Sequence, residues 1–64
     1  MRIVLNGELA EISALTLDGL LEEQGFDACV ATAVNEDFVP APERGTLVLK
    51  EGDRIEVLAP MQGG

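Results

Sequence analysis

The sequence has no histidine, no tryptophan and no tyrosine, a single cysteine, and only four lysine and arginine residues. Each shortage removes a class of chemistry. Without histidine there is no Ser-His-Asp or Cys-His catalytic set. One cysteine and no histidine leave no zinc site, and the four thiolates of an iron–sulfur centre are missing. Cys29 has no internal disulfide partner, which fits a reducing compartment, and a cytoplasmic protein is expected. No signal peptide is recognised, and no apolar run approaches the roughly 20 residues that cross a bilayer. The scarcity of cations argues against a nucleic-acid partner, whose phosphates need lysine and arginine. It argues equally against an anionic membrane surface.

What is abundant is negative charge. Twelve Asp and Glu give a formal net charge of −8. Such a charge serves solubility, and it steers the chain toward a partner with a basic docking surface. The 64 residues make one domain with a small core, and the 47% apolar content supports folding over disorder. A chain this short has little room for a deep pocket, which points to a protein acted on by enzymes more than to an enzyme. A monomer is expected when the protein is free.

The order of elements can be read from local signals. Arg2-Ile3-Val4-Leu5 is an apolar, β-branched run, and Asn6-Gly7 is a strong hairpin turn. A two-residue turn sets Leu5 opposite Glu8, Val4 opposite Leu9 and Arg2 opposite Glu11. Met1, Ile3, Leu5, Ala10 and Ile12 then share a core face. Thr16 is an N-cap, and Leu15 and Leu20 stand where a hydrophobic staple would close. Leu17, Leu20 and Leu21 give a helical stripe, and Gly25 is a stop, so a helix over Leu17–Gln24 is predicted. Cys29–Val34 reads as an apolar strand with Cys29 buried in it. Phe38-Val39 is a short extended piece ended by prolines, and Pro42–Gly45 is a loop. Thr46–Leu49 is a candidate edge strand. Arg54–Leu58 alternates cleanly, with Ile55 and Val57 toward the core.

A hairpin, one amphipathic helix and returning strands make an α+β fold of the ubiquitin-like β-grasp type: a mixed sheet of four or five strands packed on one short helix. The first and last strands then lie parallel at the sheet centre. Residues 1–60 form the domain, and 61–64 follow as a flexible diglycine tail. Val4, Leu9 and Leu58 fall on the outer sheet face and form a candidate docking patch. Gly63 and Gly64 lack Cβ, so this stretch fits a slot too narrow for other residues. A terminal carboxylate on Gly64, ionised at neutral pH, is a nucleophile toward the α-phosphorus of ATP. The bland reading of the same residues is a frayed end or a cloning remnant.

The stretches Val34-Asn35-Glu36-Asp37-Phe38-Val39-Pro40 and Leu49–Leu58, with terminal Gln62-Gly63-Gly64, resemble the ThiS family, the sulfur carriers of thiamine biosynthesis. The similarity spans the chain. It implies that a ThiF-type adenylating enzyme activates the Gly64 carboxylate with ATP and magnesium, so that the carrier itself binds no cofactor. Sulfur from a cysteine desulfurase persulfide then replaces the adenylate, and the Gly64 thiocarboxylate feeds thiazole synthase. Gln62 and Gly63 carry over as the part of the tail that enters partner active sites. Where the family often has a basic residue after Val-Pro, this chain has Ala41, with Arg44 further on. The small subunit of molybdopterin synthase shares the fold and the thiocarboxylate, and is usually longer. A ubiquitin-like modifier joined to lysines through Gly64, and a plain interaction module, complete the alternatives.

Overall fold

Asn6 and Gly7 adopt left-handed backbone conformations, φ 49° and 85°, which match the twist of a tight hairpin. They join β1 (Arg2–Leu5) to β2 (Glu8–Glu11) in the predicted register, Val4 opposite Leu9 and Arg2 opposite Glu11. The computed structural model describes residues 1–60. Residues 61–64, and with them Gln62, Gly63 and Gly64, lie outside the described residues. The α-amino group of Met1 donates to Glu11 Oε2 at 3.1 Å and to the Ile12 carbonyl at 2.9 Å, and Arg2 Nε lies 3.7 Å from Glu11 Oε1. These contacts zip the open end of the hairpin.

Helix α1 spans Leu17–Gln24. The Thr16 hydroxyl accepts the Gly19 N–H at 3.1 Å, and Gly25 closes the helix at φ 78°. Both ends thus use the residue types suited to a cap. Leu17, Leu20 and Leu21 are buried against Ile3, Ile12 and Ile55. The hydrophobic staple does not form. Leu15 stays 69% exposed, because its carbonyl is drawn to the Leu49 N–H at 2.8 Å and its side chain points to solvent. Glu23, near the helix C-terminus, has its own task. Its carboxylate accepts the N–H groups of Ser13 (3.0 Å) and Ala14 (2.7 Å), pinning the segment that leads into the helix.

Strand β3 (Ala31–Val34) turns through Asn35 and Glu36 into β4 (Asp37–Val39). A 3₁₀ turn at Ala41–Glu43 follows, where the sequence reads as a loop, and β5 (Arg54–Leu58) completes the sheet. The strand order is β2-β1-β5-β3-β4, with β5 parallel to β1 and antiparallel to β3. This is the expected β-grasp. Thr46–Leu49 is not a strand of the sheet. It runs past the start of α1, with a single bridge between Thr16 and Val48 and a bond from Leu17 N–H to the Leu47 carbonyl.

Two residues depart further from expectation. Cys29 is exposed in the turn before β3, not buried within a strand. Its N–H donates to Asp27 Oδ1 at 2.9 Å, so a side-chain turn replaces ladder pairing there. Arg44 is buried, at 5% exposure. Its guanidinium donates to Thr32 Oγ1, to the Ala28 carbonyl and to the Val30 carbonyl. The planar fork reaches three neutral acceptors from three separate nitrogens, a spread that the single nitrogen of lysine does not have. Among the described residues no buried side-chain nitrogen or oxygen lacks a partner.

Candidate docking face and tail

The sheet has one face on the helix and one in solvent. Alternation along β5 buries Ile55 and Val57 and leaves Arg54, Glu56 and Leu58 outside. Register then decides which outer residues touch. Val4 stands opposite Leu9 on one side and Arg54 on the other. Leu58 is four residues beyond Arg54, about 13 Å along the strand. It stands opposite Ala31, while Ala33 stands between Glu56 and Phe38.

The expected patch of Val4, Leu9 and Leu58 is therefore two patches. Val4 and Leu9 form one, beside the hairpin. Leu58 belongs to the other, with Ala31, Ala33 and Phe38, at the end of the sheet where the chain leaves for its tail. Alternation identified outward-facing residues but assumed that neighbouring strands bring them level. Parallel pairing of β1 with β5 begins at Arg54, so Leu58 overshoots the end of β1. Phe38 is the residue the sequence reading missed. It is 70% exposed, close to the 67% of Leu58, and the Val-Asn-Glu-Asp-Phe hairpin spacing was the available signal for it. Phe38, Ala33, Ala31 and Leu58 line a shallow depression with Thr32 and Glu56, about 110 Å³, room for one side chain.

Charge is mixed on the outer sheet face, where Glu11 and Glu56 offset Arg2 and Arg54, and acidic around the helix among the described residues. Arg2 and Arg54 stand on the outer sheet face and Lys50 in the turn before β5, all exposed. Asp18, Glu22, Asp27 and Glu43 are exposed around the helix, and the cation in that region, Arg44, is buried. Arg44 is thus a structural pin and not the substitute for a basic surface residue after Val39-Pro40. Asp27 is held below the usual carboxylate range by the Cys29 N–H and thiol that it accepts from, and the same carboxylate pushes the Cys29 thiol up. Cys29 is accordingly a poor nucleophile at neutral pH.

The model of the ThiS family matches residues 3–64, from β1 through Gly64. The chain belongs to the ThiS family. The sulfur carrier protein ThiS of Thermus thermophilus is 41% identical over 61 residues, covering 94% of this chain and 95% of that protein. A thiazole synthase of Paramagnetospirillum magneticum is 36% identical over 66 residues, covering all of this chain, which spans 20% of that protein's length. A crystal structure of the thiamine biosynthesis protein ThiS from Geobacter metallireducens superimposes with a TM-score of 0.87 at 23% identity, each chain wholly covered. An NMR structure of a thiamine biosynthesis protein from the same organism gives 0.82 at 25% identity, covering this chain entirely and 88% of the other. The ThiS fold accounts for the five-stranded mixed sheet on one helix. Among the described residues no helix is long and apolar enough to cross a membrane, and no cluster of three or more potential metal ligands occurs.

Proposed function

We propose that this protein is a cytoplasmic sulfur carrier for the thiazole moiety of thiamine, with the Gly64 carboxylate as the group that is loaded. The observation that carries this reading is the family match running through Gly64, on a domain whose last described strand, β5, is central in the sheet. Gly64 is the sixth residue after Leu58, so six residues follow that strand end. Fully extended, they span at most about 20 Å, enough to carry a carboxylate into a partner's interior.

In the proposed cycle a ThiF-type enzyme, with its own ATP and magnesium, receives the tail. A Gly64 carboxylate oxygen attacks the α-phosphorus, pyrophosphate leaves, and an acyl-adenylate forms. A cysteine desulfurase persulfide attacks the acyl carbon and AMP leaves. A second thiol then closes a disulfide with the donor and frees the thiocarboxylate, which thiazole synthase consumes. Gln62 and Gly63 thread the partner sites, where the lack of a Cβ at Gly63 matters. The chain supplies docking and reach, and the catalysis belongs to the partners. Leu58 and Phe38, beside the root of the tail, are the main docking contacts in this reading, and Val4 and Leu9 are peripheral.

Intact mass of the protein from thiamine-starved cells, handled without reductant or acid, tests the proposal. A gain equal to exchanging one oxygen for sulfur, mapped to Gly64, is expected. Unmodified protein throughout, or Gly64 in amide linkage to other proteins, would overturn it. Extending the chain beyond Gly64 should abolish loading while leaving the fold intact.

A further inference from the structure

Strand β5 outruns its parallel neighbour. The Val4 N–H donates to the Asp53 carbonyl and the Asn6 N–H to the Ile55 carbonyl, both at 2.9 Å. At Asn6 the backbone of β1 turns away into the hairpin, at φ 49°. The next residue of β5 that faces β1 is Val57, which is only 4% exposed. Its N–H and C=O both point at a strand that is no longer there, and buried backbone groups left unpaired are costly.

The side chain of Asn6 supplies what the backbone no longer can. Its Oδ1 accepts the Val57 N–H at 2.9 Å, and its Nδ2 donates to the Val57 carbonyl at 3.2 Å. A carboxamide has the donor and the acceptor that a strand presents, so it completes both ladder bonds. Aspartate has no donor, and glycine has the turn conformation without the amide.

We infer that Asn6 is a positioning residue for the tail: its carboxamide keeps β5 paired as far as Val57, so that the chain leaves the domain from Leu58 in one direction. The inference rests on the carrier reading above. With the clip open, the end of β5 is held by β3 alone, with Thr32 opposite Val57 and Ala31 opposite Leu58, so it loosens on its β1 side and the tethered carboxylate samples a larger volume. The fraction of bound carriers with Gly64 at the α-phosphorus then falls, whereas docking through the outer face is little changed.

Asn6→Gly tests this, because glycine tolerates the left-handed turn and removes only the clip. Two measurements are made on the full chain. Amide hydrogen exchange in the free protein should speed up at Val57 about tenfold, the scale of one hydrogen bond, while Ile55 changes little. Pyrophosphate release with a ThiF-type enzyme, ATP and magnesium should lose about threefold or more in kcat, with KM nearly unchanged. Asn6→Asp, which keeps the acceptor, should exchange at an intermediate rate. Unchanged exchange at Val57 would show that the clip does not hold β5. Uniformly faster exchange throughout the sheet would reduce Asn6 to a general stabiliser. Lost protection with unchanged kcat would overturn the link to the tail. No adenylation of the unsubstituted chain would overturn the carrier reading and the kinetic claim together, while Val57 exchange would still decide whether the clip exists.

Discussion

The two apolar patches on the outer sheet face are built from similar residues and differ in what surrounds them. Val4 and Leu9 form a single cross-strand pair beside Arg54, and Val4 is half covered by its neighbours. Leu58 and Phe38 flank two alanines, whose small side chains leave a depression between two large exposed ones. In the first arrangement Val4 borders a depression of about 190 Å³ whose other walls include the charged Glu36, Arg54 and Glu56, and Leu9 stands outside it. The second is a mostly apolar depression sized for one side chain, and under the proposed function docking there would be coupled to delivery of Gly64. Composition alone does not distinguish them. The chemistry of the surrounding walls and the position do.

That contrast can be broken by substitution. Leu58→Glu should have the largest effect: about 30-fold or more weaker binding to the adenylating enzyme, read by calorimetry, because a buried unpaired charge is added as an apolar contact is lost. Phe38→Ala should weaken binding about tenfold, since it opens one wall of the depression. Leu9→Glu should change affinity less than about threefold. A loss equal to that of Leu58→Glu would restore one continuous patch across the sheet. Glu36→Gly serves as a control within the same hairpin as Phe38. Glu36 sits at φ 75°, unfavourable for a side chain, so glycine should raise unfolding stability by about 1 kcal/mol in urea titration and leave binding unchanged. The smallest effect concerns Cys29, two residues before Ala31. Asp27 raises its pKa, so thiolate alkylation should stay slow at neutral pH and quicken as pH rises toward that raised value. Asp27→Asn should shift the whole rate profile to lower pH. A partner seated on the Leu58 depression should slow the same alkylation.

Local chemistry was legible where one residue type has one use. Asn6-Gly7, Thr16 and Gly25 placed the first hairpin and both helix ends, and the alternation of Arg54–Leu58 assigned its two faces correctly. Relations between distant segments were not legible. The stagger of β5 against β1 depends on where the Glu51–Asp53 turn delivers the chain, which alternation does not encode, so Leu58 was grouped with the wrong neighbours. The sequence placed Arg44 only in a loop, and arginine is seldom buried without a carboxylate. Its acceptors are carbonyls and a hydroxyl of residues 28–32, twelve or more positions away. Thr46–Leu49 has strand-like composition, but its backbone is used to hold the entry to α1. The reading of Gly64 takes its specificity from the family resemblance, since two glycines and a carboxylate by themselves have many uses, and Gly64 lies outside the described residues.

The central position of β5 has a mechanical consequence. A partner that draws in the tail pulls along the axis of this strand. Its bonds to β1 and β3 lie across that axis, so the load is shared by several bonds in shear and does not open them one at a time. The same strand lies over the core through Ile55 and Val57, which adds the drag of packed side chains. The domain can therefore bear tension at the end where its tail begins, and the tail can be pulled taut in an active site without unravelling the body that carries it.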